Sequence, residues 1–429
     1  MACRLHPIVV ALAALHFLAA CSSFAKGVTE AVLESGEKED TRQCHIEGPP
    51  SVGLAHFLED QDQDRGSVEG PRELKVLMVH GIGRHSPGYS GRLTENLMPA
   101  LGLTVKSKVR KEIVLWEPAV SEDPVGQLSV HLYLSPDRTR RLIFYELTWS
   151  DVIEEERRTL AFDNSKEYAF RRTHLNGFMK RFFNDHIPDA FIYVSDARAK
   201  IFASVQQGFC WMTSGGWEDL PEQGSERCDL DNRARAHFAR RDDFAFLTHS
   251  LGSRIAIDVL QDETGLVYRG EDATSQALGE IFRDREIPLY MLANQLPLIA
   301  LSVEPPSVQG QVDAYCRPDG ALADQRSIKR LNIYAFSDPN DLLSYPIPPN
   351  SARRYLDSRL CPSVTNVSIN VARLIDLFGI SEVANPVAAH GNYDHDERVI
   401  EIIAHGIGQT GASPLLEERC SWVETVDVD

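Results

Sequence analysis

Phe244-Ala245-Phe246-Leu247-Thr248-His249-Ser250-Leu251-Gly252-Ser253-Arg254 is the stretch on which the fold turns. Its first four residues are an unbroken apolar run, the mark of a strand buried on both faces, and a helix over Arg254–Leu260 follows at once. The chain must therefore reverse within a few residues centred on Ser250. Gly252 and Ser253 are small enough to let the strand and the new helix approach each other, whereas Thr248 stands where such a turn usually carries glycine. A serine at the apex of a strand–turn–helix has its hydroxyl held clear of the backbone. The N–H of Leu251 then falls at a helix N-terminus, where negative charge is stabilised.

Working outward, strands and helices alternate from Leu74 onward. Leu74–Val79 reads as a buried strand, and residues 89–102 carry apolar positions at helical spacing through Leu93, Leu97 and Leu101. Glu112–Trp116, Ser129–Leu134 and Leu142–Leu147 read as strands, with Pro118, Pro124 and Pro136 as punctuation. Residues 151–206 have a helical pattern, 207–235 a loop-like one. Beyond the Asp243–Thr248 strand, Ile287–Leu292, Leu331–Phe336 and Val364–Asn370 are further strands, and Arg398–Ala404 falls in a final helix. The alternation predicts an α/β chain with a mostly parallel central sheet flanked by helices.

Three more stretches carry chemistry. Leu74–Val79 ends in His80-Gly81-Ile82-Gly83, which lacks the Gly-Lys-Ser/Thr of a P-loop and the full G-x-G-x-x-G of a dinucleotide site. Leu331–Phe336 opens into Ser337-Asp338-Pro339-Asn340-Asp341-Leu342-Leu343-Ser344-Tyr345-Pro346. Ala388-Ala389-His390-Gly391-Asn392-Tyr393 lies between the last strand and the last helix. A serine hydroxyl needs a base to take its proton, and that base needs an orienting acid.

The elbow, the His-Gly turn, the acidic loop and the histidine, in that order, resemble the α/β-hydrolase superfamily of lipase or esterase type over roughly residues 74–406. The resemblance implies an α/β-hydrolase fold with a helical insertion, about residues 151–240, before the nucleophile strand. It implies Ser250 as nucleophile, His390 as base and Asp341 as acid, with Asp338 the rival acid. The oxyanion donors would be the N–H groups of Ile82 and Leu251. His80 and His249 read as supporting residues, His395 as a cap or exposed side chain, and His405 as a partner of its helix dipole. Neither metal nor organic cofactor is implied, and no Cys/His spacing resembles a zinc site. The dehalogenase branch of the family, which uses aspartate as nucleophile, is disfavoured by the serine.

The chain has 429 residues, with 44 Lys+Arg against 62 Asp+Glu. The net charge of −18 excludes a nucleic-acid binder, which needs a concentrated positive field. At the N-terminus Arg4 precedes an apolar run from Pro7 to Ala20, short for a membrane span and right for a signal peptide over residues 1–20. Leu18-Ala19-Ala20-Cys21 resembles a bacterial lipobox, which implies lipidation of Cys21 and export. Ser22 and Ser23 lack the aspartate associated with inner-membrane retention, so in a double-membraned bacterium the periplasmic face of the outer membrane is expected. Residues 21–70 read as a lipidated N-terminus and acidic tether, with a short helix around Leu54–Leu58, and residues 71–429 as the hydrolase domain.

Export gives the six cysteines beyond residue 21 an oxidising setting. They allow 15 complete pairings, among which Cys210–Cys228 is the most local and Cys316–Cys361 would brace the acidic loop. The expected partners are an ester or lipid-like small molecule and, through the lipid anchor, a membrane. Phe209, Trp211, Met212 and Trp217 are candidates for an acyl site or for the insertion's own core. A membrane-anchored serine hydrolase of esters or thioesters is thus expected. Its rivals are a catalytically inactive scaffold or binding lipoprotein of the same fold, and an amidase or peptidase.

Overall fold

Alternate residues of the Leu74–Val79 run point to opposite sides of one sheet. Leu74, Val76 and Met78 join one apolar core, Leu77 and Val79 the other. The same alternation sends Phe244 and Phe246 to one side and Ala245 and Leu247 to the other. A strand buried on both faces needs helices above and below it. The computed structural model has that arrangement; it describes residues 43–59, 70–165, 167–195, 197–230, 232–269, 273–377, 381–408 and 413–423. The expected signal peptide, Cys21 and the tether residues 22–42 and 60–69 lie outside the described residues.

In chain order the first strands are β1 (Cys44–Glu47), β2 (Ser51–Val52), β3 (Leu74–Val79), β4 (Val105–Lys106), β5 (Lys111–Leu115), β6 (Gly126–Leu134), β7 (Arg141–Thr148) and β8 (Gln223–Glu226). There follow β9 (Asp243–His249), β10 (Glu286–Leu292), β11 (Arg330–Ser337), β12 (Pro362–Ile369), β13 (Leu374–Leu377), β14 (Ser381–Ala384), β15 (Gly406–Ile407) and β16 (Cys420–Trp422). Twelve of them form one sheet in the order β16-β1-β12-β11-β10-β9-β3-β7-β6-β5-β8, with β4 on β6. From β12 to β7 every pairing is parallel. Antiparallel β6 and β1 flank this parallel block.

Helices Gly91–Ala100 and Glu397–His405 bury Leu97, Val399 and Ile403 in one core. Helices Arg198–Ser214 and Gly252–Arg269 close the other face with Phe209, Met212, Ile255 and Val259. Because β3 and β9 are parallel neighbours, the turns that follow them leave the sheet at the same end. The loops after β10, β11 and β12 share that end, where an open α/β sheet places its ligand crevice.

Three expectations need correction. Residues 207–235 are not simply loop: the Arg198–Ser214 helix runs into them, and β8 adds an edge strand beside β5. A Cβ added at Gly208 would lie 3.6–3.7 Å from the side chains of Leu77, Leu128 and Leu147, so this helix lies close against the sheet. Burial against those side chains overrides the helix-weakening glycine. Phe209 and Met212 are accordingly core residues, Phe209 with its ring 5.8 Å from that of Phe246, and Trp217 is buried in the same core. These residues of the insertion therefore pack the body of the protein, whereas Phe162, Tyr168, Phe170 and Phe191 of the same insertion are exposed. Lastly, residues 43–59 are part of the fold: β1 pairs with β12 and β16, and helix Leu54–Glu59, at the expected place, buries Leu54, Phe57 and Leu58.

Three disulfides, Cys44–Cys420, Cys210–Cys228 and Cys316–Cys361, pair the six cysteines. No helix among the described residues is long and apolar enough to cross a membrane.

Candidate active site

The turn after β9 is built by close approach. Ser250 has φ +56°, a left-handed conformation that a non-glycine residue holds only when its surroundings impose it. Its N–H donates to the Leu292 carbonyl at the end of β10 (2.8 Å), and a Cβ on Gly252 would lie 2.4 Å from the Val79 carbonyl oxygen. A Cβ on Gly81 would lie 2.4 Å from Ser250 Cβ, so the His-Gly turn passes directly against the serine. Thr248 fits where glycine is usual because its hydroxyl has work elsewhere. It donates to the Tyr290 carbonyl and accepts from the Ser253 hydroxyl, both at 3.1 Å.

His390 reaches Ser250 from 140 residues further along the chain. It sits in a short helix, Pro386–Gly391, whose first turn is capped by the Asn385 side chain. His390 Nε2 lies 3.1 Å from Ser250 Oγ and Nδ1 lies 2.8 Å from Asp341 Oδ2. A carboxylate only accepts, so the ring proton is on Nδ1 and Nε2 is left to accept from the serine hydroxyl. The other oxygen of Asp341 accepts the Leu343 N–H at 2.9 Å. Burial alone would raise the Asp341 carboxyl, but the hydrogen bond and charge of His390, with the Leu343 N–H, hold it below the usual 3.8.

The rival residues are elsewhere. Asp338 staples the start of its own loop to the chain beyond β12, accepting from Val371 N–H (2.7 Å), Ala372 N–H (3.0 Å) and Asn340 N–H (2.7 Å). His395 pairs with Asp394 at 2.7 Å, and His405 is exposed at the end of its helix.

The two neighbouring histidines hold backbone. His80 is fully buried and stacked on Trp149, ring centroids 4.6 Å apart. Trp149 N–H donates to its Nε2 (3.0 Å), which puts the proton on Nδ1, and Nδ1–H donates to the Gly81 carbonyl (2.9 Å). The Gly81–Ile82 peptide is planar and trans, so anchoring its carbonyl on His80 points the Ile82 N–H the opposite way. His249 Nε2–H donates to the His390 carbonyl at 2.8 Å and so holds the His390 main chain in place. Among the described residues, neither the Ile82 N–H nor the Leu251 N–H has a hydrogen-bond acceptor. Two unclaimed donors beside a hydroxyl–imidazole–carboxylate chain can stabilise an oxyanion.

Both histidines carry a pH signature. Burial and the neighbouring His390 lower the His249 pKa to about 3; burial, with His85 next, lowers that of His80 well below 6.5. Each is neutral when folded and takes up a proton when unfolded below about pH 6.5. Their contribution is therefore complete above that pH and lost as the pH falls, for His249 down to about 3. Each proton adds a slope of about 1.4 kcal/mol per pH unit. Denaturant unfolding between pH 7 and pH 5 should show this loss. His249→Gln, which keeps a donor for the His390 carbonyl, should flatten the curve by one proton; an unchanged slope counts against the assignment.

Asn294, without an assigned role in the sequence, organises the acid loop. Its backbone accepts Tyr345 N–H (2.9 Å), its side-chain N–H donates to the Tyr345 carbonyl (2.7 Å), and Oδ1 takes Leu296 N–H (3.1 Å). Its place at the end of β10 was the only signal for it. No cluster of three or more His, Cys, Asp or Glu among the described residues could hold a metal ion. Ser250 is closed to solvent and His390 is 9% exposed.

No family model matches the chain, and no curated protein or solved structure matches it. Its class rests on these residues.

Proposed function

We propose that this chain is a serine hydrolase of the α/β-hydrolase fold that cleaves esters or thioesters, including those of lipid-like acyl chains. The observation that carries the reading is the continuous hydrogen-bonded path from Ser250 Oγ through His390 to Asp341, assembled from the turn after β9, the loop after β11 and the helix that follows the β13–β14 hairpin. In this reading Ser250 Oγ bonds to the acyl carbon while its proton passes to His390 Nε2. The N–H groups of Leu251 and Ile82 hold the resulting oxyanion, and Asp341 stabilises the imidazolium. The bond to the alcohol or thiol breaks as His390 returns the proton to it. Water, deprotonated by His390, then releases the acid and restores Ser250. The Leu18–Cys21 lipobox supports an exported, lipid-anchored protein, which places such an activity beside a membrane.

A fluorophosphonate probe tests the chemistry. Adduct formation at Ser250, mapped by mass spectrometry, together with turnover across a series of esters of increasing acyl length, is the expected result. A second reading has one observation behind it: Ser250 is closed to solvent, as suits a scaffold or binding protein of this fold. A folded protein that neither labels nor turns over any ester favours that reading and rejects the hydrolase. Palmitate incorporation that disappears in Cys21→Ser is expected of the anchor; incorporation that survives this change rejects Cys21 as the lipid site.

A further inference from the structure

The turn that carries Ile82 does not hold itself in place. Gly83 has φ +97°, open to glycine without strain, and its two polar groups are taken by one buried ion pair contributed by the insertion. Asp189, from helix His174–Tyr193, accepts the Gly83 N–H on Oδ2 at 2.6 Å. Arg157, from helix Glu154–Ala161, donates through Nη2 to the Gly83 carbonyl at 2.9 Å and through Nη1 to the Ser150 carbonyl at 3.2 Å. Arg157 also grips Asp189 with a fork, Nε to Oδ1 at 2.8 Å and Nη2 to Oδ2 at 2.5 Å. The Asp189 side chain is 0% exposed and that of Arg157 4%.

We propose that the Arg157–Asp189 pair is a positioning unit for the oxyanion turn, gripping Gly83 by both its N–H and its C=O and thereby aiming the Ile82 N–H at the reacting carbonyl. The inference rests on the serine-hydrolase reading. Desolvating two charges in this way is an inefficient source of stability, so a buried pair with this geometry calls for another reason to be there. The backbone supplies it. The Ile82–Gly83 peptide has its carbonyl on His85 Nε2–H at 3.2 Å and its N–H on Asp189. The preceding peptide is anchored on His80. With both flanking planes fixed, the direction of the Ile82 N–H is fixed too.

The same insertion is bolted to the nucleophile side. Tyr193 Oη–H donates to Asp258 Oδ2 (2.6 Å), where Arg198 also pairs (3.1 Å), while Arg254 takes Oδ1 (2.5 Å) on helix Gly252–Arg269. The insertion thus acts as a strut between the two oxyanion donors: one end braces the Ile82 turn, the other the helix that presents Leu251.

The test compares wild type, Asp189→Asn and Arg157→Lys on a short aryl ester, each with fluorophosphonate labelling and a melting curve. In Asp189→Asn we expect kcat to fall about 10- to 100-fold with KM nearly unchanged, because the misaimed donor acts on the transition state rather than on binding. Arg157→Lys keeps the charge but, with a single nitrogen, cannot serve Asp189, Ser150 and Gly83 together, and should show a smaller loss of the same kind. A folded Asp189→Asn with wild-type kcat overturns the clamp while leaving the hydrolase intact. If Asp189→Asn does not fold, Arg157→Lys decides: full kcat overturns the clamp, and reduced kcat at unchanged KM supports it. A wild type that neither labels nor hydrolyses overturns the hydrolase reading, and the clamp with it.

Discussion

Replacing Ser250 with alanine is expected to lower kcat for ester hydrolysis on the order of 10⁴- to 10⁶-fold and to abolish fluorophosphonate labelling, with the melting temperature close to wild type. On the proposed mechanism the size follows from the loss of the atom that forms the covalent bond. What remains is the oxyanion site, which holds the substrate carbonyl for direct attack by water. The fold should tolerate the change: alanine keeps the Ser250 N–H that donates to Leu292, a backbone hydrogen bond that anchors the elbow to β10. His390→Ala should cost nearly as much, and the double variant little more than either alone, because the two side chains act as one unit. Additive losses, or a Ser250→Ala protein within tenfold of wild type, would show that a different nucleophile does the chemistry.

The acid loop offers the second large effect. Asp341→Asn places an amide against His390 Nδ1, where the amide nitrogen donates rather than accepts, and so favours the tautomer with its proton on Nε2. That tautomer cannot take the serine proton, and kcat should drop on the order of 10⁴-fold. Asp338→Asn should do the opposite. Its carboxylate accepts the buried N–H groups of Val371 and Ala372, so the exchange should cost about 2–3 kcal/mol of stability in denaturant unfolding while kcat stays near wild type. The converse pattern, activity lost at Asp338 and kept at Asp341, would reverse the assignment of the acid.

The central strands were legible because their residues are buried on both sides: Leu74–Val79 and Phe244–Leu247 have no other interpretation at that length and flanking. Ser250 and Asp341 were legible for a related reason, since each lies just beyond a parallel strand, whereas His390 follows the antiparallel β13–β14 hairpin and was placed by resemblance. Choosing Asp341 over Asp338 was beyond the sequence's own reach except by resemblance. Both aspartates belong to the same turn, and only the partners Val371 and Ala372 show what Asp338 does. Strands β1 and β16 alternate over too few residues to be told from chance. Four and three residues long, they exist because Cys44 pairs with Ile369 on one side and Cys420 on the other. Arg157 and Asp189 stand 32 residues apart on two different helices, and nothing local announces that they meet over Gly83.

The Cys44–Cys420 bond closes a covalent hoop around 376 residues of sequence separation. A single proteolytic cut anywhere inside the hoop leaves one molecule, with both fragments attached, until a reductant opens it. A cut between Cys21 and Cys44 behaves differently. If Cys21 carries the lipid, that stretch is the only leash to the membrane, and severing it would release the whole folded body at once. The same chain would then be armoured against nicking and poised for shedding, with the boundary between the two behaviours set by one cysteine.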